Sequence, residues 1–584
     1  MNKDLTANTL NQEQQHCEEF ALKLKSFKIL AYAGTGKTKT LEAISFALGS
    51  INKKGLYLAF NRAVADEAKS RFDDSVTCKT FHSLAHSHVP KNLSKKVFNP
   101  KNYPKDLAVM YHLKDSDCKY SDSYLDELKH RSYKKFMEIT KRGGSRRFTP
   151  HQKMQYVNDA IKNFCKSSDS VLLEKHFDQL DWLKPVENNA AIKELLPVAN
   201  RRWNDLIALD NNLNISHDVY VKYWALSNPK ISGYDYLLLD EWQDSDELMN
   251  FIVSNQSIPC FYVGDKYQQI YEWRGATDSL EKLDLPTSRL THTFRFGENL
   301  ANHANLILAC LGESVPLIGN PNVHTEVLYD HDAAVKCDAI LCRTNKGAFS
   351  ELVSQLQNFP NRKYAMLADV YEIKKWLEAA EQLIKGVKTY HPDLSAFDKW
   401  DDVIEYTELN KSDNDFASMV RLINQFSSSF STLYSILDRV GNNPSEAECV
   451  ITTVHKAKGL EWNSVYISSD FDLSLMPNKF SGVEQRFKKD ITDELYLENW
   501  ELIPFPNTLK LIPNSNSFIE GIIPSIESGV LDQRMHNQTY RISDMPVEEL
   551  RLLYVAITRA KKTLYASNLS EFFILMEKLR NNLD

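Results

Sequence analysis

The sequence has 584 residues, a formal net charge of −7, 43% hydrophobic residues and 25% charged residues. At about 150 residues per domain this length predicts roughly four compact units, and the composition excludes collagen-like, low-complexity and broadly disordered classes. The acidic balance argues against coating nucleic acid by bulk electrostatics, while a local basic groove remains compatible with it.

The first residues are polar, and nowhere do eighteen apolar residues run together, so neither a signal peptide nor a membrane span is expected. The nine cysteines are scattered without a CxxC pair, which predicts reduced thiols and no zinc ribbon. Cys337 and Cys342 lie in an apolar stretch (CDAILCR) that reads as a buried strand. The expected location is cytoplasmic, nucleoid-associated if the protein is bacterial.

In chain order, Leu10, Asn11 and Gln14 come first, a polar group suited to reading adenine through the Gln14 side-chain amide. Residues 28–31 (KILA) then form a short apolar run, followed by YAGTGKT and by Leu41, Ile44 and Leu48 at helical spacing. This is a strand, a phosphate-cradling loop and a helix. Ala33, Gly34, Thr35 and Gly36 would turn backbone N–H groups toward a phosphate chain at the helix N-terminus. Lys37 would reach the β and γ phosphates, Thr38 would bind Mg2+, and Thr40 stands one turn further on. Ala31 stands where this motif usually has its first glycine.

Residues 129–147 (KHRSYKKFMEITKRGGSRR) are densely basic, with Tyr133, Phe136 and Phe148 nearby; a solvated helix face and a phosphate-contacting surface both fit them. Residues 236–239 are apolar without alternation, as in a parallel strand covered on both faces, and end in DEWQD. Asp240 is placed to hold Mg2+ through water, and Glu241 to orient the attacking water. A further strand, CFYV, runs into GDKYQQIYEWRGA, where Gln268 would sense the γ-phosphate and Tyr271, Trp273 and Arg274 would meet unpaired bases. Near the C-terminus, Ser543, Asp544 and Pro546 are helix-start signals. Val547, Leu550, Tyr554 and Ile557 then share one face of a helix that would hold Arg559 rigidly.

These motifs, in this order, resemble the UvrD/Rep family of superfamily 1 helicases. LAFNRAVADEA (58–68) is similar to motif Ia and TFHSLA (80–85) to motif Ib, which implies DNA contacts by Phe60, Asn61 and His82. RLTHTFRF (289–296) resembles a diverged motif IV, with Arg295 as its arginine. TVHKAKGLEW (453–462) resembles motif V, and EELRLLYVAITRAKK (548–562) motif VI. FNRAVADEA and VHKAKGLEW also resemble the F-box DNA helicase branch, with no F-box apparent before the phosphate loop.

The resemblance implies an α/β fold of two RecA-like P-loop domains with parallel sheets, each carrying a mainly helical insertion. It places the first RecA-like domain at 1–88 and 222–282, its DNA-binding insertion at 89–221, the second RecA-like domain at 283–345 and 447–584, and a reduced insertion at 346–446. It assigns ATP to the first domain with Mg2+ as cofactor, and gives Arg295 and Arg559 to the nucleotide, Glu461 to its ribose and His455 to the DNA. The activity implied is ATP-dependent translocation on single-stranded DNA and 3′–5′ unwinding of tailed duplex DNA, in repair or recombination, with room for a protein partner that directs it. Alternatives are a translocase that displaces proteins from DNA and a nucleic-acid-sensing ATPase subunit, for example of a defence system. Residues 473–541 carry the Asn, Pro and Ser punctuation of an irregular excursion and suggest no role.

Overall fold

The computed structural model describes residues 10–573 except 60–61, 100–101, 103, 132, 142, 181, 271–278, 330–336, 368–369, 390, 392–393, 395–396, 398, 410–413, 427–428, 442, 472–499, 506–507, 514–546 and 571. The chain divides into two compact units: unit 1 is Met1–Ala31 with Gly36–Leu290, and unit 2 is Tyr32–Thr35 with Thr291–Asp584.

Unit 1 contains strands β1 (Phe27–Ala31), β2 (Gly55–Ala59), β3 (Val76–Thr80), β4 (Ser116–Lys119), β5 (Ser145–Phe148), β6 (Tyr236–Leu239), β7 (Cys260–Gly264) and β8 (Thr287–Leu290). Six of them form an all-parallel sheet in the order β3-β2-β6-β7-β1-β8. Every residue of β2, β6 and β7 is buried, which accounts for apolar runs without alternation. Side chains alternate between two cores. Ile29, Tyr57, Leu238 and Val263 pack with Leu41, Ile44 and Leu48 of the helix Lys37–Ser50 on one face. Leu56, Leu58, Leu237 and Leu239 face the other way and join one continuous core with Met154, Leu195, Trp203 and Trp224 of the helical insertion.

Unit 2 repeats the plan with β9 (Glu326–Leu328), β10 (Ala339–Cys342), β11 (Tyr364–Met366), β12 (Cys449–Thr453), β13 (Trp462–Ile467), β14 (Trp500–Phe505), β15 (Thr508–Pro513) and β16 (Ala560–Tyr565). Its six-stranded parallel sheet has the order β11-β12-β10-β13-β16-β9, and β14 and β15 form an antiparallel pair. Ile340, Cys342, Cys449 and Ile451 share a core with Phe349, Trp376, Leu377, Met419 and Leu433 from the helices between β10 and β12.

Two compact units stand where length predicted four, because each insertion shares a core with a face of its sheet instead of closing a core of its own. Two boundaries also differ from expectation. β8 lies beyond residue 282, yet it pairs with β1, so unit 1 runs to Leu290. β11 lies inside 346–446, yet it pairs with β12 and forms an edge of the second sheet. Of residues 473–541 only 500–505 and 508–513 are described, and these are the β14–β15 pair. Ser543, Asp544 and Pro546 lie outside the described residues. All nine cysteines are free and buried. Among the described residues no helix is long and apolar enough to cross a membrane.

Candidate functional site

The sheet order of unit 1 brings three loops together, because β1, β7 and β6 are consecutive neighbours and their carboxyl ends lie on one edge. The loop after β1 carries Gly34 at φ 74° and Gly36 at φ 79°, a left-handed conformation that glycine adopts without steric cost. Thr35 Oγ1 donates to Tyr32 O at 2.9 Å across this turn. The helix Lys37–Ser50 follows at once, and its N-cap Gly36 supplies no side-chain hydrogen bond, so its first N–H groups have no capping side chain. Ala31 is simply the buried last residue of β1.

Opposite stand the acids that end β6. Asp240 is buried; its Oδ2 accepts from Tyr57 OH at 2.7 Å and from Thr38 Oγ1 at 3.3 Å, and its Oδ1 accepts from Glu241 N–H at 2.9 Å. Burial, and next the neighbouring Glu241 charge, push the Asp240 carboxyl up to about 6. A buried carboxylate beside a threonine hydroxyl is a hard oxygen donor set whose charge burial disfavours, and a Mg2+ ion would relieve that. Burial and the same carboxylates hold the Tyr57 phenol well above its usual value.

Glu241 has φ 51° and ψ 41°, left-handed for a residue with a side chain, a conformation of the kind that surrounding structure must over-determine. That placement sets its carboxylate 3.5 Å from Lys37 Nζ. Gln243 fixes it from the other side, donating through Nε2 to Glu241 Oε2 at 2.5 Å while its Oε1 accepts from Asp265 N–H at 3.1 Å. Gln268 donates to Asp265 Oδ2 at 2.6 Å, and burial raises the Asp265 carboxyl. One hydrogen-bonded chain thus joins the loops after β6 and β7. Gln14 is fully buried and its amide is engaged, with Oε1 accepting from Asn11 N–H at 3.2 Å and Nε2 donating to Thr40 Oγ1 at 3.2 Å. It forms a capping box with Asn11 at the start of the helix Gln12–Ala21, a role the sequence reading did not foresee.

Unit 2 assembles the basic counterpart. Arg295 donates from Nε to Glu461 Oε2 at 2.8 Å and from Nη1 to Thr558 O at 2.9 Å, and Lys561 Nζ lies 3.4 Å from Glu461 Oε1. Burial raises the Glu461 carboxyl, but the Arg295 and Lys561 charges and hydrogen bonds outweigh it and hold the group below the usual glutamate value. Arg559 is 2% exposed, its Nε donating to Val555 O at 2.9 Å and its Nη1 to Leu460 O at 3.3 Å. The helix Val547–Ile557 ends before Arg559, which sits in the turn into β16; rigidity there comes from hydrogen bonds back onto the last helical turn.

Of the residues expected to touch DNA, His82 lies in the helix Phe81–His88 of unit 1, with Nε2 3.5 Å from Asp218 Oδ1. His455 lies in the short helix Val454–Ala457, directly after β12. Phe60, Asn61, Tyr271, Trp273 and Arg274 lie outside the described residues. Directly after the basic stretch, Phe148 is a core residue, edge-on to Trp182 at 5.3 Å. Sequence reasoning passed over Tyr57, Gln243 and Asp265. Gln243 had a signal, its place two residues after Glu241, whereas nothing in GLYLA separates Tyr57 from packing.

Fold and site together place the protein in the class of P-loop α/β proteins built from two RecA-like domains. Residues 10–282 match the UvrD/REP helicase N-terminal domain. "F-box DNA helicase 1" of Gallus gallus is 29% identical over 76% of this chain and 43% of its own length. "F-box DNA helicase protein 1" of Schizosaccharomyces pombe is 27% identical over 80% and 54%. The chain therefore spans about half the length of these two relatives. "DNA helicase II" of Rickettsia typhi is 21% identical over 96% of this chain and 92% of that protein. The chain is similar to UvrD/Rep-like superfamily 1 proteins.

Proposed function

We propose that the protein is an ATP-driven motor on single-stranded DNA, with 3′–5′ helicase activity on tailed duplexes. The observation that carries the chemistry is the meeting of Lys37, Thr38, Asp240 and Glu241 at one sheet edge. In this reading the Gly34–Gly36 turn and the following helix N-terminus receive the phosphates, and Lys37 neutralises them. Thr38 and Asp240 would hold Mg2+, whose chemistry is charge neutralisation at the β and γ phosphates. Glu241, held by Gln243 and Lys37, orients the attacking water and accepts its proton. Gln268, tied to Asp265, would register the γ-phosphate. Arg295 and Arg559 would supply positive charge to the same nucleotide, with Glu461 at its ribose. The DNA role rests on the family match and on the relatives' names. Phe60, Asn61, His82, Tyr271, Trp273, Arg274 and His455 are its proposed contacts, and the helical insertions are proposed on the same family plan.

The deciding experiment is ATP hydrolysis with and without single-stranded DNA, with Lys37→Ala as the blank. Stimulation by DNA that is lost in the variant supports the motor; a DNA-independent or negligible wild-type rate refutes it. Duplexes with a 3′ or a 5′ tail then test the polarity.

A further inference from the structure

β2 takes no part in the chemistry assigned above, yet it sends one polar atom into it. Tyr57 pairs in register with Leu238 of β6 and shares its face of the sheet, so its ring points along the surface toward the end of β6, where Asp240 follows. The ring is fully buried, its centroid 4.8 Å from that of Phe72, and its hydroxyl donates to Asp240 Oδ2 at 2.7 Å. The same oxygen accepts the longer bond from Thr38 Oγ1 at 3.3 Å.

The two hydroxyls differ in what they can do. Thr38 is the expected metal ligand, and a threonine oxygen that turns its lone pairs to a cation has its hydrogen free for another partner. Tyr57 is a strand residue whose ring is locked by packing on a covered sheet face, so its donor stays where it is. An aspartate's terminal torsion is broad and roughly two-fold, so a carboxylate held only through Oδ1 and a mobile threonine has no fixed second oxygen.

We propose that Tyr57 is a positioning residue for the Mg2+·nucleotide complex, holding the Asp240 carboxylate in the orientation that receives the metal's coordinated water. This rests on the nucleotide reading of the same site. A merely structural role, satisfying a buried phenol, affects stability but leaves the metal requirement unchanged.

The test is Tyr57→Phe, which removes one oxygen and keeps the ring. Anisotropy of a fluorescent ATP analogue is followed across a Mg2+ titration, with turnover measured at the same concentrations. The Mg2+ concentration for half-maximal binding is expected to rise about 10-fold or more, as suits loss of one hydrogen bond to a charged group, and added Mg2+ is expected to recover turnover. An unchanged midpoint overturns the proposal even if the melting temperature falls. In an Asp240→Asn background, Tyr57→Phe is expected to add no further shift; an equal shift in both backgrounds overturns the route through Asp240. Wild-type binding indifferent to both Mg2+ and Lys37→Ala refutes the underlying nucleotide reading, and the proposal with it.

Discussion

Unit 1 and unit 2 are both six-stranded, all-parallel sheets whose insertions are mainly helical, yet they carry opposite charge at opposite strand ends. In unit 1 the candidate groups follow strands: Lys37 after β1, Asp240 and Glu241 after β6, Gln268 after β7. In unit 2 Glu461 and Arg559 precede β13 and β16, and Trp462 N–H donates to Arg559 O at 3.0 Å where those two strands begin. Unit 1 buries carboxylates at its site, and unit 2 buries a guanidinium. The scaffold therefore does not choose the chemistry; the loops do. An edge with a glycine turn and a helix N-terminus favours an anion, whereas an edge built from short turns between a helix and a strand offers carbonyls that suit a cation.

The difference between the units can be broken in a graded way. Lys37→Ala in unit 1 should have the largest effect, lowering ATP turnover by about 10³-fold or more in a coupled assay. Arg559→Ala in unit 2 should lower kcat by roughly 10³-fold if unit 2 supplies transition-state charge. Because Arg559 is buried, a melting curve must accompany it, and an intact fold with wild-type kcat would reduce unit 2 to a purely structural role. Glu241→Gln should lower kcat by about 10²-fold or more while nucleotide affinity stays within a few-fold, since the loss is of a proton acceptor; equal losses in kcat and affinity would argue against that role.

The smallest effect is on stability and concerns pH. Because burial raises Asp240 from 3.8 to about 6, the folded chain binds its proton more tightly than the unfolded chain. The ionised group therefore costs stability, with the cost absent below pH about 4, growing to about 6 and full above it. Asp240→Asn should accordingly raise the melting temperature at pH 7.5 without nucleotide or Mg2+, by up to about 3 kcal/mol of stability, and the gain should vanish near pH 4. A destabilised Asp240→Asn at pH 7.5 would show that hydrogen bonds from Tyr57, Thr38 and Glu241 outweigh the burial penalty.

Much of unit 1's site was legible because its residues are close in sequence to punctuated motifs. GTGKT lies between an apolar strand and a periodic helix, and DEWQD caps an unalternating run, so local pattern and local chemistry coincide. Unit 2 was less legible. Arg295, Glu461 and Arg559 stand far apart in sequence, and only the resemblance singled them out; Glu461, which accepts from Arg295, and Arg559 come together because β13 and β16 are neighbours. The placement of β8 and β11 was missed because a four-residue or three-residue strand has too little periodicity to declare its sheet.

The sequence by itself determined the elements that carry the candidate residues: where the glycine loop turns, which strand ends in two acids, and which helix leads to Arg559. Those depend on φ preference, apolar periodicity and residue type, which act over a few residues. Only the tertiary structure decided the partners: Tyr57 and Thr38 on one oxygen of Asp240, Gln243 between Glu241 and Asp265, Gln14 on Thr40, and each insertion fused to a sheet face. Strand order and packing set these pairings, and both arise from burial summed over the whole chain, which no local window contains.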